Sequence, residues 1–233
     1  MYRHWRGAFY PEKLPVKHWF RHYAEHFDTV EINNSFYRLP KPETLDAWRD
    51  QAPPGFCYAL KANRYLTQMK RLLDCAEPMD RMMTVFRHLI PRLGPVLYQL
   101  PPTLGIDLDR LERFLELTPR DLRAVFEFRH KSWYVEATRA LLDHHGAGFV
   151  VHDMPGSTTP RWTSGPIAYV RFHGGKGKYW GRYDESALLD WADWIAEQTR
   201  HGREVWAYFN NDTEAAAIDD ALTLKAMVRQ SVR

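Results

Sequence analysis

Cysteine is scarce in this chain: Cys57 and Cys75 are the only two among 233 residues. Two thiols cannot build a disulfide framework, and their spacing is not that of a zinc site, so a reducing compartment is expected and each reads as a small packed residue. Long apolar runs are missing as well. Nothing approaches the length that crosses a bilayer, and Met1 to Gly7 carry no apolar core of a secretion signal, which points to a soluble cytoplasmic protein with no membrane partner. Charge of one sign is also lacking, with 32 Lys plus Arg against 29 Asp plus Glu and a net of +3. That balance does not require a polyanionic partner, although a pI near 8.8 permits one. There is no Gly-x-Ser-x-Gly elbow and no Walker sequence, and Ser35 and Ser132 read as turn or capping residues.

What is present is apolar and aromatic material. At 45% hydrophobic, the chain can fill one large core, and residues 1–233 are expected to form a single domain. Aromatics make up 14%, with nine Trp. Trp5, Trp133, Trp162 and Trp180 fall in segments that read as loops or helix starts, where exposed rings would suit stacking on a flat or sugar-like ligand.

The periodicity alternates between helix and strand. Trp19, Phe20, Tyr23 and Phe27 recur at helical steps across 17–27, and Thr29 to Asn33 then alternate as a strand. Pro42 opens a helix through Trp48, and 57–62 is a strand. The irregular stretch that follows ends at Pro78, before a helix over 79–93 and a strand over 95–100. Asp107 is an acidic N-cap for a helix with Leu108, Leu111, Phe114 and Leu115 along its buried stripe. Strands over 124–129, 148–153, 168–173 and 205–210 alternate with helices over 133–145, 184–201 and 214–229. Residues 154–165, rich in Pro, Ser, Thr and Gly, form a loop where a helix would otherwise stand. His144 and His145 sit at a helix end, where the dipole accounts for them.

Seven apolar runs end on polar or ionisable residues: Glu31 and Asn33, Lys61, Gln99, Glu127 and Arg129, His152 and Asp153, Arg171 and His173, Asn210 and Asn211. Strands ending this way between helices are how a parallel α/β barrel gathers side chains around one mouth, so the expected fold is a TIM-like (β/α) barrel of seven recognisable strands. Side chains alternate along a strand, which puts Glu31 with Asn33, Glu127 with Arg129, and Arg171 with His173 on shared faces. Converging there, Glu127, His173 and Glu31 are the proton-transfer candidates. Lys61, Arg129, Arg171 and Lys176 would bind an anion, and Gln99, Asn33, Asn210, Asn211, His152 and Asp153 would complete the ligand contacts. The competing interpretation is a plug of ion pairs that offsets its own desolvation. Barrel mouths host most known sites on this architecture, which favours a functional site.

The segment from His173 to Tyr183, with Gly174, Gly175 and Gly177 among Lys176, Lys178 and Arg182, reads equally as a phosphate cradle or as a solvated loop. His152, Asp153, His173, Glu31 and Glu127 are suitable metal ligands, but no pair has helical His-x-x-x-His spacing and neighbouring cations already supply charge. No metal is assigned.

Phe9-Tyr-Pro11, Val30-Glu-Ile-Asn-Asn-Ser-Phe-Tyr37, Val96-Leu-Tyr-Gln-Leu-Pro-Pro102, Phe126-Glu-Phe-Arg-His-Lys-Ser-Trp133, Tyr169-Val-Arg-Phe-His-Gly174 and Tyr208-Phe-Asn-Asn211 occur in order over nearly the whole chain. Together they resemble the DUF72 family, also called YecE-like. The resemblance implies a TIM-like barrel with a polar cleft at the strand ends, and it brings no established activity. Proteins of that family begin with a strand and a Gly-Thr-Ser-Gly-Trp-like segment ahead of the Tyr-x-x-Trp-x-Gly motif found here from Tyr2 to Gly7. The expectation is therefore a barrel whose usual first strand is missing at the N-terminus. The family's Thr-His pair after the third strand reads Thr67-Gln68 here, so no histidine role passes to this chain.

Two functions follow from the residues. One is an enzyme acting by acid/base chemistry, as a hydrolase, isomerase or lyase, on a small anionic (phosphorylated) or polyhydroxylated substrate. The other is a nucleic-acid or nucleotide binder using Arg3, Arg6, Arg64, Lys176, Lys178 and Arg182 for phosphates, with Trp5, Tyr179 and Trp180 for stacking. The sequence names no cofactor and no oligomeric state.

Overall fold

The structure, a computed structural model, describes residues 2–232. Seven strands follow chain order in the sheet, and neighbours from β1 to β5 pair in parallel. The strands are β1 (Thr29–Ile32), β2 (Cys57–Lys61), β3 (Leu93–Gln99), β4 (Ala124–Glu127), β5 (Gly148–Asp153), β6 (Ile167–Phe172) and β7 (Glu204–Phe209). The helices are α1 (Trp19–Ala24), α2 (Asn34–Tyr37), α3 (Pro42–Gln51), α4 (Ala76–Phe86), α5 (Leu108–Leu117), α6 (Glu136–His144), α7 (Glu185–Arg200) and α8 (Ala216–Ser231). This order of strand and helix is that of an α/β TIM-like barrel with seven strands where the usual form has eight.

The chain divides into two compact units. Residues 2–26, 151–161 and 168–232 form the first, and residues 27–150 and 162–167 the second. In the second unit the strands' alternate residues sort cleanly. Tyr58, Tyr98 and Phe126 face the helices: Tyr58 stacks with Trp48 of α3, and Tyr98 lies between Phe126 and Phe114 of α5, with its hydroxyl donating to Met79 Sδ of α4. The other face of β2, β3 and β4 therefore carries Ala59 and Lys61, Leu97 and Gln99, and Val125 and Glu127. Asp107 caps α5 as expected, Oδ1 accepting from the Arg110 amide at 3.0 Å. Leu111, Phe114 and Leu115 are buried beneath that helix, and Leu108 is only half-buried.

In the first unit the opening segment is not loose. Tyr10 is fully buried and stacks on Trp19 at 4.4 Å, Trp5 is buried, and Trp5 Nε1 donates to the Asp212 carbonyl. Phe172 and Phe209 stack at 4.3 Å, closed over by Trp191 of α7 and Tyr183.

Several boundaries differ from the sequence reading. The helix expected over 79–93 starts at Ala76, becomes a 3-10 turn at Arg87–Leu89 and ends there, because Pro91 cannot continue a helix; Leu93 already belongs to β3. The helix expected from Trp133 begins at Glu136, after a separate 3-10 turn Lys131–Trp133. Residues 17–27 divide into a 3-10 turn and the short α1. The irregular stretch after β2 holds a π-helical turn, Tyr65–Met69, followed by Arg71, Leu72 and Asp74 at positive φ. Residues 154–165 contain no helix, as expected.

Candidate functional site

In the second unit a continuous polar chain crosses the ends of β2, β3 and β4. Lys61 Nζ donates to Gln99 Oε1 at 2.8 Å, and Gln99 Nε2 donates to Glu127 Oε2 at 2.6 Å. Arg129 Nη2 forms an ion pair with Glu127 Oε1. Glu127 is fully buried and Lys61 nearly so, while the Arg129 side chain retains 12% exposure. Parallel register produces this chain, because Gln99 stands beside Glu127 and Lys61 beside Leu97.

Local structure holds Lys61 in place. Ser35, buried in the short α2, donates to the Lys61 carbonyl at 2.7 Å, and the Lys61 ammonium lies 4.2 Å from the Phe36 ring centroid. Gln68 Nε2 donates to the Gln99 carbonyl at 2.7 Å, so the π-helical turn pins the end of β3. At β1, Asn33 Nδ2 donates to Glu31 Oε1 at 3.2 Å, and both residues are half-buried.

In the first unit, His152, Arg171 and His173 are buried, and the two imidazole rings stand 6.3 Å apart. His152 Nε2 contacts Ser157 Oγ at 3.2 Å, and the His173 amide donates to the Asp153 carbonyl at 2.8 Å. Asn210 is half-buried. Asn211 is fully buried, and its Nδ2 donates to Asp220 Oδ2 at 2.8 Å and to the Gly181 carbonyl at 2.9 Å, so it ties α8 to the loop after β6.

That loop, residues 174–183, is built differently from a phosphate cradle. The amides of Gly175, Lys176, Tyr179 and Trp180 bond to carbonyls of the loop itself or of His173. A Cβ at Gly174 would come within 2.3 Å of the Gly177 carbonyl oxygen, and one at Gly175 within 2.4 Å of the Arg182 carbonyl oxygen. These glycines allow the loop to fold on itself rather than freeing its amides. Lys176 and Lys178 are exposed, and Arg182 pairs with Asp219.

The aromatic expectation divides in two. Trp5 and Trp133 are buried packing residues, Trp133 Nε1 donating to the Leu104 carbonyl, whereas Trp180 and Tyr179 are 54% and 43% exposed. Exposed rings that the sequence reading passed over are Tyr37 and Tyr65, with the Arg64 guanidinium 5.8 Å from the Tyr37 ring. Their positions, immediately after β1 and β2, were the available signal. Arg6 is engaged with the carbonyls of Glu12 and Leu14 and lies 5.0 Å from the Trp19 ring. Burial pushes the Cys75 thiol up to about 11, in keeping with a packing role.

Among the described residues, no cluster of three His, Cys, Asp or Glu side chains is arranged to hold a metal, and no helix is long and apolar enough to cross a membrane. Two surface cavities of about 200 and 220 Å³ lie in the second unit, along α4 and the start of β3. Both include Met83 and Arg87, and neither is at the carboxyl ends of the strands.

Comparison with known proteins agrees with this architecture. The family described as "Protein of unknown function DUF72" matches residues 1–233. The chain is 27% identical to UPF0759 protein YunF of Bacillus subtilis (strain 168), over 91% of this chain and 87% of that protein. It is 33% identical to UPF0759 protein YecE of Escherichia coli (strain K12), over 49% of this chain and 42% of that one. A crystal structure of a DUF72 family protein from Thermotoga maritima MSB8 superposes with a TM-score of 0.86 at 29% identity, covering 98% of this chain and 95% of that one. One from Enterococcus faecalis V583 shares the fold at a TM-score of 0.80 and 20% identity, covering 89% of this chain and 87% of that one.

Proposed function

We propose, on the premise that this chain belongs to the DUF72 family, whose function is unknown, that it is an enzyme acting by acid/base chemistry on a small polyhydroxylated substrate. The observation that carries the proposal is the buried chain Lys61, Gln99, Glu127, Arg129 at the ends of consecutive parallel strands. Strand ends are where barrel enzymes keep their reactive groups, and a set of donors and acceptors held rigidly there is suited to substrate hydroxyls. Counted together with Glu31 of β1, the formal charges at the strand ends of the second unit balance, Lys61 and Arg129 against Glu31 and Glu127, which favours a neutral polyol or sugar over a phosphorylated one. In this reading Glu31 and Glu127 move protons, Lys61 and Arg129 bind oxygen atoms, and Asn33 and Gln99 orient hydroxyls. In the first unit His173 is the proton-transfer candidate, with Arg171, His152, Asp153, Asn210 and Lys176 as ligand contacts, while Asn211 is a structural tie between α8 and the loop after β6.

The test is thermal unfolding with a panel of neutral sugars, sugar phosphates and inorganic phosphate. The expected result is a raised midpoint with at least one sugar, lost in Lys61→Met and Arg129→Met. If no compound shifts the wild type, and joint replacement of Lys61, Gln99, Glu127 and Arg129 by apolar residues leaves stability equal or higher, the chain is a structural plug and the proposal fails.

A second reading, nucleic-acid binding by residues 174–183, is supported by exposed Tyr179 and Trp180 beside exposed Lys176 and Lys178. It calls for single-stranded oligonucleotide binding that weakens steeply with salt and is lost in Trp180→Ala.

A further inference from the structure

Just beyond β4, His130 and Ser132 form a hydrogen-bonded pair, Nδ1 to Oγ, at 2.7 Å. The direction of that bond follows from its neighbours. His130 Nδ1 also accepts the backbone N–H of Ser132 at 3.2 Å, and a backbone N–H can only donate. Nδ1 therefore carries the lone pair, the ring proton sits on Nε2, and the 2.7 Å contact is the serine hydroxyl donating to imidazole. On its other side Ser132 Oγ accepts the Ile106 amide at 2.8 Å. The hydroxyl proton is thus aimed at a base, and the Ile106 amide fixes the position of its oxygen.

Access is built in. His130 is exposed and Ser132 partly so. Gly105 lies alongside, where a Cβ would stand 3.6 Å from Ser132 Oγ and 3.8 Å from His130 Cε1. A longer side chain at that position would cover the pair, and glycine leaves it open to a ligand.

We propose that Ser132 is a nucleophile, with His130 as its general base, for acyl transfer from small carboxylic esters. In the first step the Ser132 oxygen bonds to the ester carbonyl carbon, its proton passes to His130 Nδ1, and the carbon–oxygen bond to the alcohol breaks. The departing alkoxide takes that proton and leaves as alcohol. Water then attacks the acyl-serine, giving its proton to His130, and the acid is released as the Ser132 hydroxyl is restored. This activity is separate from the reading of Lys61, Gln99, Glu127 and Arg129.

An alkyl fluorophosphonate is the direct probe: Ser132 oxygen bonds to phosphorus, fluoride leaves, and the proton passes through His130 to solvent. Peptide mapping by mass spectrometry should find the label on Ser132, absent in Ser132→Ala, about a hundredfold slower to form in His130→Ala, and unchanged in Ser186→Ala at an exposed serine of α7. A parallel measurement covers the case in which Ser132→Ala fails to fold. In Ser132→Cys, iodoacetamide should alkylate the new thiol at least tenfold faster than in the double variant that also carries His130→Ala. No label, label at another serine, or equal alkylation rates would reduce the pair to a latch between two loops and overturn the proposal.

Discussion

Gln99 and Glu127 stand side by side in register on β3 and β4, and Nε2 of the glutamine donates to Oε2 of the glutamate at 2.6 Å. Because Gln99 Oε1 accepts from Lys61 at the same time, only one orientation of the amide satisfies both neighbours. Reversing it would set a donor against an ammonium and a lone pair against a carboxylate. The glutamine therefore bridges a cation and an anion through the two ends of one amide.

Replacing that glutamine tests the chain's energetics. Gln99→Met preserves volume but removes one acceptor from Lys61 and one donor from Glu127, leaving two buried charges each short of a hydrogen bond. A loss of about 2–4 kcal/mol is expected in urea unfolding. A variant within about 0.5 kcal/mol of wild type would show that the contact contributes little.

The cap on α5 is a smaller and more local effect. Asp107→Ala removes the acceptor for the Arg110 amide and the negative charge beside the helix N-terminus, for an expected cost of about 1 kcal/mol; Asp107→Asn should recover most of it. Denaturant midpoints of the three proteins check the order.

The elements were legible where a single pattern decided them. Asp107 before an amphipathic run, and the apolar run Gly148–Asp153 between polar flanks, read correctly because capping and strand burial are local. The overrun of α4 was avoidable, since Pro91 stands in the segment read as helix and marks its end. Trp133 was misread for another reason: the Leu104 carbonyl that takes its indole proton lies 29 residues away in sequence. The candidate site was half legible. Alternation puts Glu127 and Arg129 on one face, but the Lys61, Gln99, Glu127 chain depends on register across β2, β3 and β4, including a register shift between Tyr58 and Leu60, and no local pattern encodes that.

Trp133 makes a third prediction. Its ring is fully buried, 4.8 Å from Phe128, and its indole N–H holds the loop that carries Gly105 and Ile106. Trp133→Phe should cost about 1–3 kcal/mol from the unsatisfied Leu104 carbonyl and the vacated volume, and Trp133→Ala about 3–5 kcal/mol. Equilibrium unfolding followed by far-UV circular dichroism separates the two.

Asp220 gives a pH dependence of definite sign. Burial raises its carboxyl above the ordinary aspartate value, against the opposing pull of hydrogen bonds from Asn211 Nδ2 and the Tyr183 amide and of the Arg182 charge. An acid whose folded-state value is raised stabilises the native state below the unfolded-state value, near pH 4, where both states are protonated alike. That contribution is lost as pH rises through the folded-state value, because the native state must then carry a buried charge. Asp220→Asn keeps an amide oxygen to accept from both donors and does not titrate. Relative to wild type, it should therefore gain stability between pH 3.5 and 7, with the gain levelling off once the wild-type carboxyl is fully ionised. Urea midpoints of both proteins across that range are the measurement. A difference that is flat, or that moves in favour of wild type as pH rises, would mean that the hydrogen bonds outweigh burial and the carboxylate is the preferred form at that position.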